Sequence, residues 1–492
     1  MKKSFFIFAA CLISCGVSAQ TALTMDKALD IAMNNSPTMR KSAMNLDRYQ
    51  QTLVAQKASL KSRFSLKLDP IDYSKNRSFD NRLSQWYTNE TLNTSGTFQV
   101  DQPILFTDGV ISLVKRVGWQ DNKSDIDGSD NSNRAFRNNL YLQLSQPIFT
   151  YNRRKMELKE IELDYENAAI SYALQRLDME RRITDQFYAV YMAQSNLGIS
   201  IEELDDARKN FEVIKNKVEA DLAARDELFQ AELNLATAES NTEDRRVALE
   251  NAKDLLKQTL GMQLNEAISI FAEIQVEPVK VDIDKAITHA LSTRLELRER
   301  EIEAEKLDFQ MIKTKSLNEF KGDISLSFGL TGDNKNLGKV YDQPTQSPRV
   351  AVSFTVPIFD WGEKKARVKA QETAILINRL DKVEDEKKIE LDIRKTYRNL
   401  ENNLRQINIA EQNVKNAQLT YDLNAERYRN GDLTGMEMSQ FQTQLSNKKM
   451  TLAQARINYK IELLNLKIQT LYDFDNNQSI VPLTNYSQQK KK

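Results

Sequence analysis

Gln146-Pro147-Ile148-Phe149-Thr150-Tyr151-Asn152 and Val356-Pro357-Ile358-Phe359-Asp360-Trp361-Gly362 are the two segments on which the fold turns. Each follows residues that alternate apolar and polar, and each launches a run with almost no helix breakers, Arg153 to Gly261 and Glu363 to Phe474. Proline lacks a backbone donor, which is tolerable at a strand end but not inside a ladder. A helix follows at once, with Thr150 or Asn152 available to cap the first and Asp360 the second. The chain is therefore predicted to be built twice from a strand that runs into a very long helical hairpin.

Upstream of the prolines, Phe64-Ser65-Leu66-Lys67-Leu68, Leu140 to Leu144, Ile324 to Phe328 and Val350 to Phe354 have the period of two expected of strands with one wet face. Downstream the period changes to seven. Ile183, Val190, Leu197, Leu204, Phe211 and Val218 run one way, and Leu228, Leu235, Leu249 and Leu256 return with Thr242 as the polar member. Ile393, Leu400, Ile407, Val414, Tyr421 and Tyr428 repeat the pattern, with Met438, Leu445, Leu452, Tyr459 and Leu466 coming back. This period imposes coiled-coil packing, and roughly 66 residues at about 1.5 Å each extend on the order of 100 Å.

The halves share further landmarks. Asp26-Lys27-Ala28 recurs as Asp284-Lys285-Ala286, in helices opened by Thr24 and Asp282, and Asp221-Leu222 recurs as Asp432-Leu433. The predicted organisation is a leading segment 1–19, a first repeat 20–276 with hairpin 153–261, a second repeat 277–475 with hairpin 363–474, and a flexible polar tail 476–492. The first repeat carries an extra block, 69–140, of the kind that belongs in surface loops. Within it Gln102-Pro103-Ile104-Leu105-Phe106, followed by Asp108-Gly109, resembles the strand exits and reads either as an added hairpin or as an elaborated loop.

Lys2 and Lys3, the apolar run Phe5 to Ile13, and Val17-Ser18-Ala19 before Gln20 form an export signal. The segment also reads as a lipobox, Leu12-Ile13-Ser14-Cys15-Gly16, with Cys15 lipidated. Cys11 and Cys15 are the only cysteines, so cleavage after Ala19 leaves no thiol chemistry. His289 is the only histidine and has no sequence-local ligand partner. Sixty-nine basic side chains balance 69 acidic ones, which gives no bulk attraction to nucleic acid. No later run reaches the roughly 18 apolar residues of a spanning helix, so membrane insertion would have to be as a closed β-barrel. There is no glycine-rich phosphate loop, metal cluster or His-dependent triad, and no enzyme activity or cofactor is expected.

The leading helices Thr24 to Arg40 and Asp282 to Arg298, the two Pro-Ile-Phe exits and the second tip Arg427-Tyr428-Arg429-Asn430-Gly431-Asp432-Leu433-Thr434 together resemble the TolC-like outer-membrane efflux family, over Leu23 to Phe474. The resemblance implies a mainly α protein with a β-barrel portion. It further implies a homotrimer in which each chain gives four strands to one 12-stranded outer-membrane barrel and its helices to a periplasmic tunnel. The implied activity is passive conduction of substrates, in efflux or type I secretion, delivered by an inner-membrane pump through a periplasmic adaptor. A periplasmic adaptor and a secreted structural coiled coil are the competing readings of the hairpins.

Tip roles come with the resemblance. The family's tip glycine matches Gly431 and its tyrosine Tyr428, and the aspartate that the tyrosine bonds to close the entrance corresponds to Asp226. Glu437 matches an acidic ring at the entrance, with Gln440 where a second acid would stand. Ala220 stands where the first tip usually has glycine. Ala220, Asp221 and Leu222, with Gly431, Asp432 and Leu433, are the candidate adaptor contacts. Packing is the competing role for Tyr428, Leu222 and Leu433, and a solvated helix face for Glu437.

Overall fold

The structure is a computed structural model that describes residues 21–81, 84–126, 129–272, 274–430 and 432–480. Cys15 and the rest of the leading segment, Gly431, and residues 481–492 of the tail lie outside the described residues.

The first repeat runs β1 (Thr21–Leu23), α1 (Met25–Asn35), α2 (Pro37–Ser59), β2 (Arg63–Asp80), β3 (Gln85–Pro103), β4 (Val110–Ile126), β5 (Ser129–Ile148), α3 (Arg153–Glu219) and α4 (Arg225–Leu260). The second runs β6 (Ile268–Ile270), α5 (Ile283–Thr293), α6 (Leu295–Lys315), β7 (Lys321–Asn334), β8 (Thr345–Gln346), β9 (Arg349–Thr355), α7 (Glu363–Arg429) and α8 (Gly435–Thr470). The short β10 (Tyr472–Asp473) and β11 (Gln478–Ser479) pair with each other after it. Helices α3 and α7 have 67 residues each, and α4 and α8 have 36 each. Arg153 and Glu363, Glu219 and Arg429, Arg225 and Gly435, and Leu260 and Thr470 are all 210 positions apart.

That constant offset corrects the tip alignment. It matches Asp221 with Gly431 and Leu222 with Asp432, one residue away from the Asp-Leu pairing that the sequence suggests. The physical reason is that hydrogen bonds, not dipeptide likeness, fix where a helix ends. Leu222 N donates to Lys217 O at 2.8 Å and Asp221 N to Val218 O at 3.1 Å, while Asp432 N donates to Arg427 O at 2.9 Å. These are the six-to-one and five-to-two bonds of a Schellman end. Asp221 itself takes the left-handed conformation, φ 55°, at the position where glycine is favoured.

The described chain divides into two compact units. One contains residues up to 44, 170–295 and 385 onward. Its core is Leu23, Ala28, Ala32 and Met39 from the leading segment, Met179, Ile183, Phe187 and Val190 from α3, Leu249, Leu256 and Leu260 from α4, and Ile268 and Ile270 from β6. Parallel pairing of β1 with β6 ties the start of the first repeat to its end. The seven-residue stripes are inside: Ile393, Leu400 and Ile407 on α7 and Leu445, Tyr459 and Leu466 on α8 are buried. Thr242, the polar member, donates from Oγ1 to Ser200 O across the first hairpin at 3.0 Å. His289 is packed, with Nδ1 2.8 Å from Thr470 O and its ring edge-on to Tyr472.

The other unit, 45–169 and 296–384, holds an antiparallel sheet of order β2-β3-β4-β5-β7, with β8 and β9 sharing the far edge of β7. Among the described residues six strand positions therefore come from one chain, where the resemblance implies four. The excess comes from the extra block: β2 to β5 are two successive hairpins instead of one. Residues Ile104 to Gly109 are the turn between β3 and β4, closed by Ile104 N to Gly109 O at 2.8 Å and Asp108 N to Ile104 O at 3.0 Å. In the same unit α6 is tied by ion pairs to the starts of α3 and α7, through Arg298–Glu166 at 2.8 Å, Lys313–Glu160 at 2.6 Å and Arg300–Asp381 at 3.3 Å.

One face of the sheet is apolar across every strand. Phe64, Leu66 and Leu68 on β2 lead through Phe98, Leu113, Leu142 and Phe328 to Val350, Val352 and Phe354 on β9, and all these side chains are exposed. The opposite face carries Ser65 and Lys67, Gln99 and Asp101, Ser112 and Arg116, Gln143 and Ser145, and Ser325 and Ser353. A monomeric soluble protein rarely exposes so large a contiguous apolar patch. Alternation of apolar-out and polar-in with period two is the pattern of a lipid-facing barrel wall.

Candidate functional site

The candidate residues cluster at the two hairpin tips, between α3 and α4 and between α7 and α8. At the second tip Thr434 caps α8: its hydroxyl accepts from Glu437 N at 3.3 Å, and the Glu437 carboxylate accepts from Thr434 N at 2.9 Å and Thr434 Oγ1 at 2.8 Å. Hydrogen bonds from the Thr434 backbone N–H, and then from its hydroxyl, hold the Glu437 carboxyl below the usual range. That carboxylate contribution is present above the ordinary glutamate range and lost as pH falls through the lowered value. Glu437 is thus occupied in a capping box, a role legible in Thr434-Gly435-Met436-Glu437 that the acidic-ring reading passes over.

The first tip is built differently. Ala224 stands at the cap of α4 without a side-chain bond, and Asp226 and Glu227 occupy its first turn. Thr434→Ala should cost about 1 kcal/mol of local helix stability. Faster amide exchange over residues 435–438, with the first tip unchanged, is the expected reading; unaltered exchange would show that the cap does not hold this tip.

Tyr428 is 38 % exposed, so it ends its stripe at the surface. It lines a cavity of 720 Å³ between the two hairpins, with Asn210 and Glu203 of α3, Asn234 of α4, Tyr421 of α7 and Gln440 of α8. The helices approach closely here: a Cβ on Gly435 would lie 2.2 Å from Asn210 Oδ1. Burial pushes the Glu203 carboxyl up, opposed by a hydrogen bond from Thr443 and by Arg245. The cavity lining mixes five amides and two phenols with the charged Glu203, Asp206 and Lys209 and with apolar side chains such as Val213, Met436 and Met438.

The structure brings Tyr428 and Gln440 together around this cavity, while Asp226 and Glu437 are in the first turns of α4 and α8. Among the described residues no hydrogen bond joins Tyr428 to Asp226 within one chain. Leu222 is 78 % exposed, whereas Leu433 is half-buried; the 210-residue offset matches Leu222 to Asp432 instead. Ala220 and Asp221 are exposed.

A second constellation, absent from the sequence reading, holds the β3–β4 turn. Asp108 is 3 % exposed, and its carboxylate accepts from Arg153 N and Nε at 3.4 and 3.1 Å and from Arg154 N and Nη1 at 3.3 and 2.9 Å. Asn152 Nδ2 donates to Leu105 O at 2.6 Å while its Oδ1 caps α3 by accepting from Lys155 N at 2.8 Å. The signal for it is Asp-Gly in the turn and Asn-Arg-Arg at the helix start, 45 residues apart in sequence.

Residues 321–468 match the model of the family described as Outer membrane efflux protein. The chain is 24 % identical over 341 residues to Outer membrane protein TolC of Escherichia coli (strain K12), covering 66 % of this chain and 68 % of that protein. Among solved structures it resembles the Campylobacter jejuni CmeC outer membrane channel, with TM-score 0.69, 13 % identity and coverage of 95 % of this chain and 89 % of that one. It likewise resembles the open state of the Neisseria gonorrhoeae MtrE outer membrane channel, with TM-score 0.63, 12 % identity and coverage of 92 % and 90 %. Residues 321–468 thus match the outer-membrane efflux protein family, and the doubled strand-to-hairpin unit of the whole chain has the fold of the solved outer-membrane channels.

Proposed function

We propose that three copies of this chain form the exit duct of a tripartite efflux or type I secretion system. The observation that carries this reading is the sheet with one apolar and one polar face, continued directly into 67-residue helices. In a ring of three copies the apolar faces meet outer-membrane lipid, the polar faces line water, and six hairpins supply twelve helices around one lumen. Substrates arrive from an inner-membrane pump through a periplasmic adaptor, and the duct itself conducts passively. It needs no cofactor.

Leu222, exposed at the first tip, and Asp432 at the second are the best-placed adaptor contacts, with Ala220, Asp221 and Leu433 beside them. Tyr428 and Asp226 act as a gate between neighbouring copies, where a phenol-to-carboxylate hydrogen bond is worth about 1.5–3 kcal/mol. Native mass measurement in detergent and planar-bilayer recording test the reading together. Three chains per particle and a conducting pore are expected, and Tyr428→Ala with Asp226→Ala should raise single-channel conductance. A soluble monomer without channel activity would overturn the duct; unchanged conductance in an intact trimer would reduce the two residues to packing.

A further inference from the structure

Six strands per chain change the size of the pore. We infer that the duct's membrane barrel has eighteen strands, closed by β9 of each copy pairing antiparallel with β2 of the next; this rests on the trimeric duct reading above. Among the described residues both outer edges of the sheet are open within one chain, since β2 pairs only with β3, and β8 and β9 pair only with β7. An unpaired edge in lipid is untenable because its backbone groups have no water to bond. Closure of one chain on itself is excluded by number: membrane barrels begin at about eight strands.

The extra hairpin belongs to the wall. A decoration outside it would have no reason to keep the alternation, yet Phe98 on β3 and Ile111, Leu113 and Val117 on β4 lie on the same apolar face as the strands to either side. Its turn is moored to the start of α3 by Asp108 and Asn152.

The register supplies an independent check. A row of paired residues runs from Arg63 through Asp101, Ser112, Gln143 and Ser327 to Arg349. Arg349 begins β9, which continues to Thr355 at the rim where the chain leaves for α7, whereas Arg63 is the first residue of β2 at that same rim. With the rim level, the row slips from position 349 to position 355 across the six strands of one copy, one residue per strand. Equal shear and strand number correspond to a tilt of about 36°, within the range of closed barrels. The slip is even, so it sets Phe64 against Phe354, Leu66 against Val352 and Leu68 against Val350 on the apolar face, with Ser65 against Ser353 on the polar face. An odd slip would have put apolar residues against polar ones.

The strand direction agrees as well. β2 runs away from the rim and β9 toward it, so an even count per copy yields antiparallel pairing at every junction. Barrels of 16 to 18 strands enclose an aqueous channel, and diameter grows roughly linearly with strand number, so this one is about 1.5-fold wider than a twelve-stranded ring.

Ser65→Cys combined with Ser353→Cys tests the junction, because directly opposed residues have Cα atoms about 4.5–5.5 Å apart, within reach of a disulfide. Mild oxidation should give a covalent species of three chains on a non-reducing gel, and Ser65→Cys with Ala351→Cys, two residues out of register, should give far less. A native mass of three chains without a cross-link at either pair, or a cross-link within single chains, overturns the eighteen-stranded junction while the trimer stands. A native mass of two chains overturns the trimer itself. Averaged projections of the unmodified protein in nanodiscs need no variant: a barrel of twelve-stranded width sinks the inference, and one about 1.5-fold wider supports it.

Discussion

Asp108→Ala is expected to loosen the antiparallel sheet more than any other single change in the sheet unit. The carboxylate is almost fully buried and accepts four hydrogen bonds from Arg153 and Arg154, two of them from backbone N–H groups in the first turn of α3. A negative charge there is favoured twice, by the guanidinium groups and by the positive end of a 67-residue helix. Removing it strands two cations at that end and also places alanine at φ 64°, where a Cβ is disfavoured. Loss of charge-assisted bonds and of a buried partner points to about 3 kcal/mol.

Asp108→Asn separates the causes, because asparagine tolerates the left-handed backbone and keeps the shape but not the charge; about half the loss is expected. The measurement is the temperature at which the folded species disappears on gel electrophoresis in detergent, with amide exchange at Ile104 and Asp108. If Asp108→Ala leaves both unchanged, the turn is held by its strands and the clamp is incidental.

The sequence displays the parts of this fold that burial dictates and hides those that hydrogen bonds dictate. Ile183 to Val218 and Ile393 to Tyr428 announce their helices because a seven-residue apolar interval has no other use. Phe64-Ser65-Leu66-Lys67-Leu68 announces a strand in the same way. Strands β3 and β4 are quieter: their outer halves, such as Asn89-Glu90-Thr91 and Gln120-Asp121-Asn122, pair along the ladder without apolar alternation. The block 69–140 therefore leaves hairpin and loop equally open until pairing is seen. The tip register goes astray for a related reason, since Asp221-Leu222 and Asp432-Leu433 look alike while the Schellman bonds obey the 210-residue offset. The proposed gate is the least legible part, because a contact between copies would leave no spacing in one chain.

Gly261→Ala is the second large effect, and it exposes an asymmetry that the duplication conceals. Gly261 ends α4 in the left-handed region, φ 74°, with its N–H donated to Gln258 O and Lys257 O. A Cβ there would lie 2.5 Å from Asn35 O and 2.9 Å from Asn35 C, both backbone atoms where α1 turns into α2. Neither can swing aside as a side chain can. The left-handed penalty of about 1–2 kcal/mol and an overpacking cost of about 1–3 kcal/mol therefore both apply.

The position 210 residues later is Leu471, which also ends its helix left-handed at φ 50° and is 2 % exposed. Backbone strain is thus bearable at this corner when the side chain enters the core, and what forbids it at Gly261 is the carbonyl of Asn35. Leu471→Gly should relieve the strain yet destabilise by about 2 kcal/mol net, since burying a leucine contributes more than the φ penalty costs. Each repeat therefore rejects the other's residue, and thermal denaturation of the two single variants should show both less stable than the parent. A Gly261→Ala protein as stable as the parent would mean that α1 and α2 can shift away from the corner, and that the first repeat's leading helices are not anchored there.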